Sequence, residues 1–245
     1  MPPTTSRSAA KSGVESNDLR GLLEREQLPG GRADLPEPLV ADSQRERILN
    51  AMAEACASNG YVATTIGDIV ELAGVSRATF YELFKDKEDC LRAAMELMAA
   101  DVAASVGEAY SPDKPWASMV RDTAAVFLGL LASRPDFARM ALVEAPAAGG
   151  RSMEMYASGK RVLQSLLDRG RTDPVEEQGV PSSASRGSLA AAESLVVGQI
   201  LAGNTERLPE LLPDVVYILT IPYLGQDEAL RQSREAESSV RSGAG

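Results

Sequence analysis

Between Thr64 and Lys87 the chain reads Thr-Thr-Ile-Gly-Asp-Ile-Val-Glu-Leu-Ala-Gly-Val-Ser-Arg-Ala-Thr-Phe-Tyr-Glu-Leu-Phe-Lys-Asp-Lys, and few backbones suit it. Thr65 is placed to cap a helix, its hydroxyl accepting an orphan N–H one turn in. Asp68 falls in the first turn, where the helix dipole favours an acid. Ile66, Ile69, Val70 and Ala73 recur at helical spacing and give that helix one apolar face. Gly74 suits a left-handed exit, and Val75 plugs the angle that follows. Ser76 then caps a second helix, which shows Arg77 and Thr79 outward while Phe80 and Phe84 turn inward. Two short helices joined by so sharp a turn make a helix-turn-helix, whose second helix fits a DNA major groove.

The run Ala-Gly-Val-Ser-Arg-x-Thr-Phe-Tyr-x-x-Phe-x-x-Lys, from Ala73 to Lys87, resembles the signature of the TetR family of transcriptional regulators. The preceding Gly60-Tyr61-x-x-Thr64-Thr65-Ile66-x-x-Ile69 fits the same family, so the likeness covers about residues 43–95. Two positions depart from it: Leu83 stands where such sequences often carry a histidine, and Glu82 puts an acid beside the groove face. The resemblance implies an all-α fold: a three-helix head containing the helix-turn-helix, joined by a long helix to a helical body that binds ligand and dimerises.

Charge narrows the kind of DNA binding. The net charge is −10, and residues 43–95 hold six Lys/Arg against eight Asp/Glu, a local balance of −2. A protein that coats DNA non-specifically depends on cationic charge, so that class is excluded. A specific dimer is allowed, because helix N-termini, hydroxyls and a few placed cations can meet phosphates while the body stays acidic. With no histidine, no GxSxG, no Gly-rich phosphate loop and no metal-ligand spacing, no catalytic residues, metal or cofactor are expected. Cys56 and Cys90 sit at apolar helical positions and read as buried thiols in a reducing cytoplasm, with a disulfide between them as the alternative. No apolar run approaches the ~18 residues of a membrane span, and no signal-peptide stretch is seen, which makes the expected protein soluble and cytoplasmic.

Taken in order, residues 1–38 are polar and rich in Pro, Gly and Ser and read as a disordered arm with a possible minor-groove contact. The head is expected over 39–95, its first helix starting near Asp42 or Ser43, with Glu46 in capping-box spacing, and ending at Gly60. A long helix from Asp86 leads into the body, 96–225. The body's helices are expected at Trp116–Ser133, Pro135–Glu144, Arg151–Arg169, Gly187–Ala202 and Leu208–Leu224, with a loop over 170–186. A helix as apolar around its circumference as the last one must be buried on several sides, and a four-helix dimer interface achieves this. Leu189, Val196, Val197, Ile200, Leu212, Val216 and Leu219 are its expected contacts. Residues 226–245 read as a polar, frayed tail.

Candidate DNA contacts are Thr65, Ser76, Arg77, Thr79, Tyr81 and Lys87. Arg77 is placed to reach a guanine edge or a phosphate, the alternative being a solvated arginine. Thr65 and Ser76 are caps whose N–H groups also suit a phosphate, and Thr79 suits a thymine methyl. Tyr81 and Lys87 enter as phosphate contacts through the resemblance. Otherwise the ring of Tyr81 supports its short helix and Lys87 is an ordinary surface lysine. Methionines suit an adaptable apolar pocket, and Met95, Met98, Met119 and Met140 are candidates for one, with Trp116, Phe127 and Tyr156 as further walls. Plain core packing is the alternative for each. Glu144 is a candidate partner for a cationic ligand, against a surface or N–H-satisfied acid. The reading is a homodimeric repressor that binds a palindromic double-stranded operator and is released by a small apolar or amphipathic effector. An activator or DNA-binding protein without an effector, and a helical enzyme with a vestigial head, stay open.

Overall fold

Every regular element among the described residues is helical. The structure is a computed structural model that describes residues 37–109, 113–171 and 179–243. The chain divides into two units, Met1–Val40 and Ala41–Gly245. Of the first, residues 37–40 are described and are helical, so the expected arm at 1–36 lies outside the described residues.

The head comprises α1 (Glu37–Asn59), α2 (Ile66–Ala73) and α3 (Arg77–Leu83). Helix α1 begins well before Ser43, which leaves the expected capping box at Ser43 and Glu46 inside the helix. Pro38 admits the earlier start, since a first-turn residue has no ladder N–H to lose. Ile48, Leu49, Met52 and Cys56 form its buried stripe, and Gly60, at φ +78, ends it. Phe80 and Phe84 are buried beside them, as their spacing implied.

Helix α4 (Lys87–Ala109) leaves the head and buries Cys90, Leu91, Ala94, Met95 and Met98. Its partner α5 (Trp116–Ser133) starts and stops as expected. The next segment is not one helix ending at Glu144. It consists of α6 (Pro135–Arg139), a π-helical turn (Met140–Glu144) and α7 (Ala145–Ala148), and stops only at Gly149, at φ 70. Pro146 lies in the first turn of α7, and the wide turn falls where that proline withholds an N–H from the ladder. Helices α8 (Gly150–Asp168) and α9 (Ala184–Leu201) follow, then a 3-10 segment (Thr205–Leu211) and α10 (Leu212–Gly243), bent at Gly225.

The end of the chain departs from expectation. Residues 226–243 are helical, not frayed. Ala229, Gln232 and Ala236 bury one face, and Arg121 of α5 donates to Gln232 at 3.2 Å and to Glu235 at 2.5 Å. The expected dimer contacts pack largely within the protomer. Val196, Ile200, Leu212, Val216 and Leu219 are all buried within the single chain, while Leu189 and Val197 are half-buried. Helix α10 meets its demand for burial against α5 and α9 of its own protomer.

Both cysteines are free and buried. Burial pushes the Cys56 thiol up to about 11 and the Cys90 thiol to about 12. Neither thiolate is therefore populated near neutrality. A thiol reagent at pH 8 should titrate neither in the native chain and both of the two after denaturation; rapid native labelling of either would contradict the packed head.

Candidate DNA interface

Local chemistry builds the helix-turn-helix almost entirely. At the entry to α2, the Asp68 N–H donates to Thr65 Oγ1 at 3.2 Å and the Thr65 N–H donates to Asp68 Oδ2 at 2.8 Å, a closed capping box. The Thr65 N–H, with the Thr65 hydroxyl beside it, holds the Asp68 carboxyl below its usual range. At the exit, Gly74 adopts φ 61, and a Cβ there would stand 2.7 Å from Arg47 Nη2. That guanidinium donates to the carbonyls of Ala73 and Gly74, which the α2 helix leaves without partners. Arg47 thus holds the turn from α1. Sequence reasoning missed it, because an exposed arginine on a polar helix face carries no signal of its target.

Ser76 caps α3 by accepting from the Thr79 N–H at 3.0 Å, and the two hydroxyls lie 3.0 Å apart. Arg77 is exposed, Tyr81 is 57% exposed, and Thr79 is half-buried. A Cβ on Gly67 would lie 3.2 Å from Arg77 Nη2, so the guanidinium rests across the first turn of α2. The structure therefore brings Thr65, Ser76, Arg77 and Thr79 to the two helix entries. The Tyr81 ring packs edge-on against Phe80 at 5.6 Å, and so supports α3 while its hydroxyl end stays outside.

Lys87 turns into the protein. Its Nζ donates to the carbonyls of Tyr61 at 2.8 Å, Thr64 at 2.7 Å and Val62 at 3.5 Å, and lies 4.3 Å from the centroid of the Tyr61 ring. An ammonium has three donors, and all three are spent inside the protein. Lys87 clamps the loop between α1 and α2. Thr64 completes the clamp: its hydroxyl lies 2.8 Å from the Gly60 carbonyl and 3.1 Å from that of Ala55.

The residues expected around a pocket divide between the core and its margin. Met95, Met98, Trp116 and Met140 are buried core, whereas Met119, Phe127 and Tyr156 are half-buried at its margin. Trp116 Nε1 donates to the Leu166 carbonyl at 3.0 Å, and its ring lies 4.9 Å from that of Tyr223. Tyr156 and Lys160 both bond Glu193 of α9. Glu144 accepts the Tyr61 N–H at 3.0 Å, so it is an N–H-satisfied acid, not a free carboxylate facing a ligand. Two open grooves lie elsewhere. One of about 510 Å³ runs between Glu206, Pro209 and Val240, and one of about 250 Å³ between Asn50, Arg134 and Phe137. No group of acids and thiols able to hold a metal ion occurs among the described residues. No helix among them is long and apolar enough to cross a membrane.

Residues 48–94 match the family model of bacterial regulatory proteins, tetR family. No curated protein matches the sequence. Among solved structures, the fatty acid degradation regulator FadR from Bacillus halodurans is 19% identical, with a TM-score of 0.62 over 71% of this chain and 96% of that one. FadR from Bacillus subtilis, in complex with stearoyl-CoA, is 21% identical, with a TM-score of 0.54 over 74% and 98%. Full-length TylP, a tetR regulator from Streptomyces fradiae, is 20% identical, with a TM-score of 0.61 over 83% and 98%. At such identities these likenesses concern the fold. Residues 48–94 thus match the tetR family of bacterial regulatory proteins, and the described chain as a whole shares the fold of solved regulators of that family.

Proposed function

We propose that the protein is a homodimeric repressor, binding a palindromic operator and released by a small apolar or amphipathic effector. The observation that carries the reading is the exposed outer face of the helix-turn-helix, with Arg77 and Tyr81 free to reach a groove while the caps and both phenylalanines fix the helix behind them. In this reading Arg77 reads a base edge, Tyr81 and the helix entries at Thr65 and Ser76 meet phosphates, and Thr79 meets a thymine methyl.

The dimer is assigned to the outer face of α9. Gly187, Ala190, Ala191, Ser194, Leu195, Gly198, Leu201 and Ala202 are all exposed and uncharged, a face that suits close approach of the same helix from a second copy. The effector class is drawn from the methionine-rich core and from the relative that is in complex with stearoyl-CoA. Binding need only favour the conformer that does not hold DNA.

Selection of duplexes from a random pool tests the operator. Enriched sequences should hold two inverted half-sites with centres about 34–36 Å apart, one helical turn, or a multiple. Arg77→Ala should relax preference at one base pair per half-site, by about 1–3 kcal/mol. An unchanged preference would remove Arg77 from base reading, and enrichment of single, unpaired sites would overturn the dimeric mode. Release from the selected duplex by long-chain acyl-CoA, and not by free CoA, tests the effector class.

A further inference from the structure

We propose that Glu144 is a two-position latch by which the body sets the orientation of the DNA-binding head. The proposal rests on the DNA-binding reading for its consequence, but not for its geometry. Glu144 is the last residue of the π-helical turn, and its side chain is 14% exposed. Its Oε2 accepts the Tyr61 N–H at 3.0 Å across 83 positions of sequence. Tyr61 belongs to the short loop between α1 and α2 that ends at the Thr65 cap of the helix-turn-helix. The same loop is fixed from the other side by Lys87, the first residue of α4. Gly60, at φ +78, keeps the approach open: a Cβ there would stand 3.3 Å from Glu144 Oε2. One carboxylate of the body thus holds the segment that aims the head.

A second donor faces the other oxygen of that carboxylate. Arg139 Nε is buried without a hydrogen-bond acceptor, and it lies 3.7 Å from Glu144 Oε1. A buried donor in that state is costly and gains a bond if the carboxylate turns toward it. Arg139 ends α6 and Glu144 ends the π turn, so any repacking of that segment changes which donor Glu144 serves. π turns are frequent at functional sites, and here the wide turn sits between the two residues concerned. With Glu144 on Tyr61 the loop is latched; with Glu144 on Arg139 the loop is released and the head is free to reorient. A discrete element with two arrangements is what coupling between body and head requires.

Amide hydrogen exchange of the full chain, read at Tyr61, tests the latch. Glu144→Ala should speed Tyr61 exchange on the order of tenfold or more, with the buried amides of α5 and α10 unchanged. Glu144→Gln keeps an oxygen acceptor and should fall between the two. Arg139→Gln removes the competing charged donor and should slow Tyr61 exchange. Binding to duplexes selected with the wild-type protein should weaken on the order of tenfold in Glu144→Ala, because an unlatched head must be ordered on DNA. Unchanged Tyr61 exchange in both Glu144 variants would overturn the latch, and so would a uniform rise at all amides, which marks mere support of the core. Faster exchange in Arg139→Gln would overturn the second position. If no duplex is selected at all, the DNA-binding reading fails, while the exchange results still decide the latch.

Discussion

Val216→Asp should unfold the body, whereas Gly198→Glu should split the dimer and leave each protomer folded. Val216 has no exposure within the single chain, and its carbonyl accepts from the buried Thr220 hydroxyl at 2.7 Å. A carboxylate there is desolvated with no cation beside it, a loss of several kcal/mol. That is a large share of the roughly 5–15 kcal/mol that hold an ordinary domain together. Gly198 is the opposite case, exposed on α9 with nothing within 4 Å of the place a Cβ would take. Glutamate there relieves the cost of a mid-helix glycine, roughly 0.5–1 kcal/mol, so the protomer does not suffer. Two copies of that charge facing each other across a close helix contact should abolish association. Circular dichroism melts and sedimentation of both variants decide the matter. A folded Val216→Asp monomer would return Val216 to the interface, and an unchanged Gly198→Glu dimer would move the interface away from α9.

The contrast shows where sequence reasoning runs short. Helix α10 was legible as a helix buried on several sides, because apolar residues cover so much of its surface. Periodicity cannot say whether the burying partner is the same chain or a second one. The chain's own α5 and α9 supply it. On α9 the face proposed for association is the reverse of the expected one: Val196 and Ile200 face inward, and the open face is glycine, alanine and serine with Leu195 and Leu201. The tail after Gly225 was missed for a related reason. Its buried face is Ala229, Gln232 and Ala236, which no hydrophobic count registers, and it is pinned by Arg121 from over a hundred residues away.

The helix-turn-helix, by contrast, could be read residue by residue, because its determinants are local. The Thr65–Asp68 box, the left-handed Gly74 and the Ser76 cap each act within four residues of themselves. Of the candidate contacts carried by those local features, Ser76 and Arg77 are exposed and Thr79 is half-buried. Partners that lie far off in sequence could not be named in this way. Glu144 serves an amide 83 positions away, and Lys87 serves carbonyls up to 26 positions away.

Lys87→Met should destabilise the head and leave the salt dependence of DNA binding untouched. Hydrogen bonds from a charged donor are worth about 1.5–3 kcal/mol, and the side chain makes them to the Tyr61 and Thr64 carbonyls. Methionine keeps much of the stem's apolar contact and removes the donors, so the carbonyls must find water instead. The loss falls on the loop that aims α2, and it should appear as faster amide exchange over residues 60–65 and an earlier melt of α1 to α3. Had Lys87 met a phosphate, its loss would lower the slope of log K against log salt by about one per contact while leaving the fold alone. The two roles therefore separate in one experiment on a duplex selected with the wild-type protein. An unchanged slope with a loosened loop supports the clamp. A reduced slope with wild-type exchange at 60–65 would restore Lys87 to the DNA and leave the loop to be held by Thr64 and Glu144.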